Sequence, residues 1–113
     1  MDRKLFAEKI QNASPDVSLH EMDRIITESI RSLPENREGA YNLVTVIEEF
    51  LETGQEVSKF LRGHGNIMGL TEELADAVLA IRYTQRICGI SDEMLRKAVN
   101  VKLERQKQRN AAE

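Results

Sequence analysis

The feature that most constrains this chain is its period. Apolar residues recur every three to four positions in segment after segment, and turn-forming residues stand between the segments. A sustained two-residue alternation is missing, as are the Asn-Gly and Asp-Gly turns of hairpins, so the pattern is that of helices. Residues 2–12 form a weak amphipathic stretch around Leu5, Phe6 and Ile10, stopped by Ser14, Pro15 and Asp16. Ser18-Leu19-His20-Glu21 reads as a capping box. Leu19, Met22, Ile25, Ile26, Ile30 and Leu33 follow it at helical spacing until Pro34. A further helix is expected from Asn36 to Arg62, with Ala40, Leu43, Val44, Ile47, Leu51, Gly54, Val57 and Leu61 along one stripe. Gly63 suits its left-handed end. Residues 63–69, rich in glycine, read as a flexible loop. Thr71 is the expected cap of a helix that runs to Cys88 and stops at Gly89. Ser91 is the expected cap of a last helix that frays at residues 110–113. Short links make neighbouring helices antiparallel. The expected fold is all-α: a four-helix-bundle-like core of antiparallel helices with a short extra N-terminal helix.

Size and charge narrow the function classes. At 113 residues and 12.9 kDa the chain has the length of one domain. Its 16 basic and 19 acidic residues leave a net charge of -3, which gives no reason to expect a nucleic-acid binder. Aromatics are 4% and there is no Trp, so the stacking platforms of single-strand binders are nearly absent. A single Cys, Cys88, excludes an internal disulfide and a Cys-based zinc site. It reads as a small buried hydrophobe. The apolar runs are too short to span a membrane, and the N-terminus lacks the apolar stretch of a signal peptide. A cytoplasmic protein is expected.

The chemistry-bearing residues are carboxylates. Glu48, Glu49, Glu52 and Glu56 project into one sector about 100° wide on the expected 36–62 helix. Like charges at i,i+4 repel by a few tenths of a kcal/mol per pair, and either water and salt or a divalent cation must offset that. The sector lies nearly opposite the Leu43/Ile47/Leu51/Leu61 stripe, where a solvated face belongs. The next helix alters that balance. Leu74-Ala75-Asp76-Ala77-Val78-Leu79-Ala80-Ile81 is apolar on every side except at Asp76, and a helix apolar all round is normally buried. A buried carboxylate needs a cation or hydrogen bonds. Its partner is either a metal or an arginine, with Arg82 and Arg86 the candidates. Glu73 shares its face at i,i+3, although a first-turn Glu also complements the helix dipole. Two helices thus each offer an i,i+3 pair, Glu49/Glu52 and Glu73/Asp76. Packed antiparallel, they would form an all-oxygen site suited to Mg²⁺ or Mn²⁺.

Other chemistries fit less well. A di-iron site wants Glu-x-x-His, and neither His20 nor His64 has a Glu three residues before it. Both read as surface groups, with His64 near enough to the Gly-rich loop to touch a ligand there. Phosphate-loop and Ser or Cys nucleophile signatures are missing. The last helix is basic: Arg96, Lys97, Lys102, Arg105, Lys107 and Arg109 stand against Glu104. That set is either a solvated, dipole-complementing end or a source of cations for polyphosphate.

Glu48-Glu49-Phe50-Leu51-Glu52 matches E-E-x-x-E, and Glu73-Leu74-Ala75-Asp76 matches E-x-x-D, with a Gly-containing loop between them. Gly89-Ile90-Ser91 and Lys102-Leu103-Glu104-Arg105 follow. In these motifs and their order the chain resembles the MazG-like, all-α nucleoside triphosphate pyrophosphohydrolases. The resemblance implies one helical domain over residues 1–113, with a MazG-like core at 36–109 and an N-terminal extension at 1–35. It implies hydrolysis of an NTP or dNTP to the monophosphate and pyrophosphate, or, within the superfamily, of dUTP/dCTP or phosphoribosyl-ATP. On that basis Glu49, Glu52, Glu73 and Asp76 would hold Mg²⁺, with Mn²⁺ as a substitute. Glu48, or Glu56 from behind the ligands, would be the base or the group that orients the water. Lys59, Lys102 and Arg109 would meet the phosphates. Where the family often has Asn this chain has Gln106, and the Trp often found near the base pocket is missing. Family members pair, so a homodimer or homotetramer is expected. A non-enzymatic helical interaction module is the reading of another class, in which the carboxylates are only a charged surface.

Overall fold

Polar residues at the helix starts set most of the element boundaries. The computed structural model describes residues 2–32 and 43–112, and among them the regular structure is all α-helix: α1 (Arg3–Ile10), α2 (Leu19–Ser32), α3 (Leu43–Leu61), α4 (Ile67–Cys88) and α5 (Asp92–Ala112). Asp2 Oδ1 accepts from the Leu5 amide at 3.0 Å, Ser18 Oγ from Glu21 at 3.0 Å, and Ser91 Oγ from Met94 at 3.1 Å. Each satisfies an amide that the first helical turn leaves without a partner. The expected Pro34 stop, the start at Asn36 and the Leu33 and Ala40 positions lie outside the described residues.

The connection between α3 and α4 is shorter than the sequence suggests. Helix α4 starts at Ile67, not after Thr71, because Asn66 caps it: Asn66 Oδ1 accepts from the Gly69 amide at 2.7 Å. Asn is among the strongest N-caps, and the Thr71 hydroxyl instead donates back to the Ile67 carbonyl at 2.7 Å. Residues 67–69 are therefore helix, not loop. At the end of α3, Gly63 takes a φ of 77°, and the His64 and Gly65 amides both donate to the Lys59 carbonyl. Gly89, at φ 72°, closes α4 in the same left-handed way.

Helices α3 and α4 form a hairpin, the closest packing in the described chain, and α1 and α2 each lie against α4. The Thr53 hydroxyl stitches the hairpin. It lies 2.8 Å from the Glu49 carbonyl on its own helix and 3.1 Å from the Glu73 carbonyl across it. The apolar core is thin. Among the described residues the buried hydrophobics are Ile26, Val46 and Ala80, one from each of α2, α3 and α4. Helix α5 contributes no buried residue.

The polarity of the hairpin is the reverse of what the stripes imply. On α3 the Leu43, Ile47, Leu51 and Leu61 stripe faces outward, with Leu51 63% and Leu61 81% exposed, while Glu56 is buried. On α4 the run expected to be buried is open: Leu74, Val78, Leu79 and Ile81 are all exposed. What α4 buries is Gly69, Glu72, Glu73, Ala80 and Gln85. The reason is that the carboxylate faces of α3 and α4 turn towards each other. Cys88 is likewise exposed, not buried, because it sits at the open end of α4.

Candidate functional site

The inward faces of the hairpin bring acidic residues together from both helices. One carboxylate oxygen each from Glu49, Glu52 and Glu73 lies within 4.8 Å of the others. Glu49 and Glu52 stand one turn apart on α3, and Glu73 reaches them from α4. Glu73 is only 9% exposed, Glu49 is half-buried and Glu52 is exposed, so the cluster opens to solvent on the Glu52 side. Glu49 Oε2 and Glu73 Oε2 are both inaccessible to water and have no hydrogen-bond partner among the described residues. Buried carboxylate oxygens are normally hydrogen-bonded, so two such orphans in one cluster require a reason.

Charge and burial act on the two in the same direction. Burial pushes the Glu49 carboxyl above the ordinary range, and the like charges of Asp76, Glu52, Glu73 and Glu48 add to it. Burial is also the largest cause at Glu73, followed by Asp76 and Glu52, while Arg3 pulls the other way. Asp76 therefore belongs to the cluster's field, although it stands one turn beyond Glu73 on α4 and is half-buried. The arginine partners considered for Asp76 are engaged elsewhere. Arg82 pairs with Asp92, and Arg86 pairs with Asp23 of α2 at 3.1 Å.

The remaining sequence-selected residues divide into near and far. Glu48 is exposed beside the cluster. Glu56 is buried and already engaged, with Oε1 2.7 Å from Arg3 Nη2 and 3.5 Å from Lys59 Nζ. Lys59 is thus tied to a carboxylate. Lys102 and Arg109 lie on exposed α5. His20 and His64 are exposed. The Gly89-Ile90-Ser91 turn borders a separate hollow of about 390 Å³, lined also by Asp23, Arg82, Gln85, Arg86 and Asp92. There Gln85 Nε2 donates to Asp92 at 3.0 Å, and this hydrogen bond, with Arg82 beside it, holds the Asp92 carboxyl below its usual range.

Two participants went unseen in the sequence. Arg3, from α1, contacts Glu56, Glu72 and Glu73 at once, and Glu72 is buried beside Glu73. No spacing rule links an arginine at position 3 to glutamates more than fifty residues away, so local pattern carries no signal for it. Comparison of the chain with protein-family models, with curated proteins and with solved structures returns no match.

Proposed function

We propose that the chain is a divalent-cation-dependent nucleoside triphosphate pyrophosphohydrolase of the MazG-like kind. The observation that supports it is the pair of buried, partnerless oxygens, Glu49 Oε2 and Glu73 Oε2, in a cluster shared by two helices. An all-carboxylate donor set fits Mg²⁺ or Mn²⁺ and not zinc. Glu49, Glu52, Glu73 and Asp76 would hold the ion. Bound there, it would neutralise phosphate charge and help to ionise the attacking water.

The chain's own residues supply the rest of the proposal. Water adds to phosphorus, the bridging P–O bond breaks, and the monophosphate and pyrophosphate separate. Glu48, exposed and next to Glu49, would accept the water's proton. Glu56, whose Oε1 serves Arg3 and Lys59, would support the site from behind. Lys102 and Arg109 reach the phosphates only from an α5 that folds over a cluster, its own or that of a second copy.

A second copy is part of the proposal. The apolar faces of α3 and α4 point outward, and pairing them in a homodimer or homotetramer would restore the buried environment that the 74–81 run implies. The test of activity is a panel of NTPs, dNTPs and phosphoribosyl-ATP with Mg²⁺, in which pyrophosphate and orthophosphate are measured separately. Pyrophosphate with one or a few substrates, abolished by chelator, is the expected result. No turnover with any of them, in protein that binds no Mn²⁺, would favour the helical interaction module.

A further inference from the structure

We propose that Arg3 is a positioning residue for the carboxylate cluster: the N-terminal helix aims Glu73 at the cation. This rests on the cation reading above and adds an element that the reading does not use. Arg3 Nη2 lies 2.7 Å from Glu56 Oε1 and 3.2 Å from Glu73 Oε1, and Nη1 lies 3.5 Å from Glu72 Oε2. The guanidinium therefore takes one oxygen of Glu73, a member of the cluster, and leaves the other, Oε2, buried with no hydrogen-bond partner among the described residues.

That division matters because the terminal torsion of a glutamate is broad. Without Arg3, Glu73 would stand among Glu49, Glu52, Glu72 and Asp76 with nothing to fix its plane. The planar fork of arginine can hold three carboxylates in one geometry, which the single ammonium of lysine cannot reproduce. Groups that orient metal ligands from behind commonly change metal affinity by about 10- to 100-fold when removed.

The protein also shows a seat for the guanidinium. A Cβ built on Gly69, in the first turn of α4, would come 2.5 Å from Arg3 Nη1 and 3.2 Å from its Cζ. Helix α1 has no buried residue of its own and lies only half-covered at Phe6 and Ala7. The Arg3 fork thus ties it to both helices of the hairpin. Linkage then makes the effect reciprocal: a cation that favours the aimed Glu73 also favours docked α1.

The test is Mn²⁺ affinity of the full chain, read by electron paramagnetic resonance, with melting temperature measured on the same samples. Arg3→Ala should weaken Mn²⁺ binding by about 10-fold or more, with Arg3→Lys between it and the wild type. Gly69→Ala keeps every charge but crowds the guanidinium's seat, and it should weaken binding in the same direction while the helix stays folded. Arg24→Ala, which removes an equal charge from the exposed Arg24–Glu28 pair, should leave affinity unchanged. Tighter binding in Arg3→Ala would make Arg3 a competing cation and overturn the proposal, as would an unchanged affinity in both Arg3→Ala and Gly69→Ala. A wild-type chain that binds no Mn²⁺ is a different result: it would overturn the cation reading itself, and this proposal with it.

Discussion

At the scale of single residues the site is a concentration of unlike demands on carboxylates. Glu49 and Glu73 are both held above the ordinary glutamate range, chiefly by burial. A carboxyl that binds its proton more tightly when folded lowers stability as pH rises through that interval. We therefore expect the metal-free protein to melt at a lower temperature at pH 7 than just above the unfolded glutamate value of about 4.3, and Glu73→Gln to flatten that slope. Asp92 acts in the opposite sense and in another window, because its carboxyl is depressed: its contribution disappears only as pH falls below about 3.9. A melting temperature that rises steadily from pH 4.5 to 7 without metal would contradict the assignment. Asp76 separates chemistry from architecture. Asp76→Asn removes a like charge that acts on both Glu49 and Glu73, so the apo protein should be as stable as wild type or more so, while turnover falls by orders of magnitude. Glu56→Gln should do the reverse. It weakens the Arg3 anchor, costs at most about 1 kcal/mol because Arg3 is partly exposed, and lowers turnover less. Denaturant melts and pyrophosphate release on both variants decide the matter.

At the scale of elements the sequence and the structure agree on existence and differ on direction. The helical period, the Ser18 and Ser91 caps and the Gly89 terminus were all readable, because each is a local interaction within four or five residues. The acidic quartet at 48–56 and the Glu73/Asp76 pair were readable as faces. Which face would be covered was not, because a stripe names its own side of a helix and not the neighbour that covers it. Leu51 and Glu52 show the limit: both are exposed, and the burial falls on Glu56 and Glu73. The start of α4 is a smaller miss of the same kind, since Asn66 and Thr71 are both credible caps and only the geometry chooses Asn66. We expect Asn66→Ala to cost about 1 kcal/mol in urea unfolding and to disturb the site as well, because the capped turn also holds Gly69 against Arg3. Thr71→Ala, at the position the sequence favoured, should cost less.

At the scale of the whole molecule the single chain is more open than its mass warrants. Its radius of gyration is 16.7 Å, against about 13 Å for a compact domain of this length. It exposes 9014 Å², where a folded monomer of this mass exposes about 6300 Å². Part of that openness is α5, which contributes no buried residue, and the outward aliphatic faces of α3 and α4 add to it. On the proposed pairing, sedimentation equilibrium at micromolar concentration should give two or four times 12.9 kDa, and the Ile47→Lys/Leu51→Lys double variant should shift the protein toward one copy. A wild-type monomer would count against the pairing. The outward leucines then carry a thermodynamic consequence. If the chain pairs as proposed, so that the outward Leu51 and Leu61 are covered by a second copy, its folding is a reaction of second order or higher. For the paired chain each tenfold dilution removes about 1.4 kcal/mol per dimer, and the melting temperature falls with it. For such a protein, added water alone acts as a denaturant.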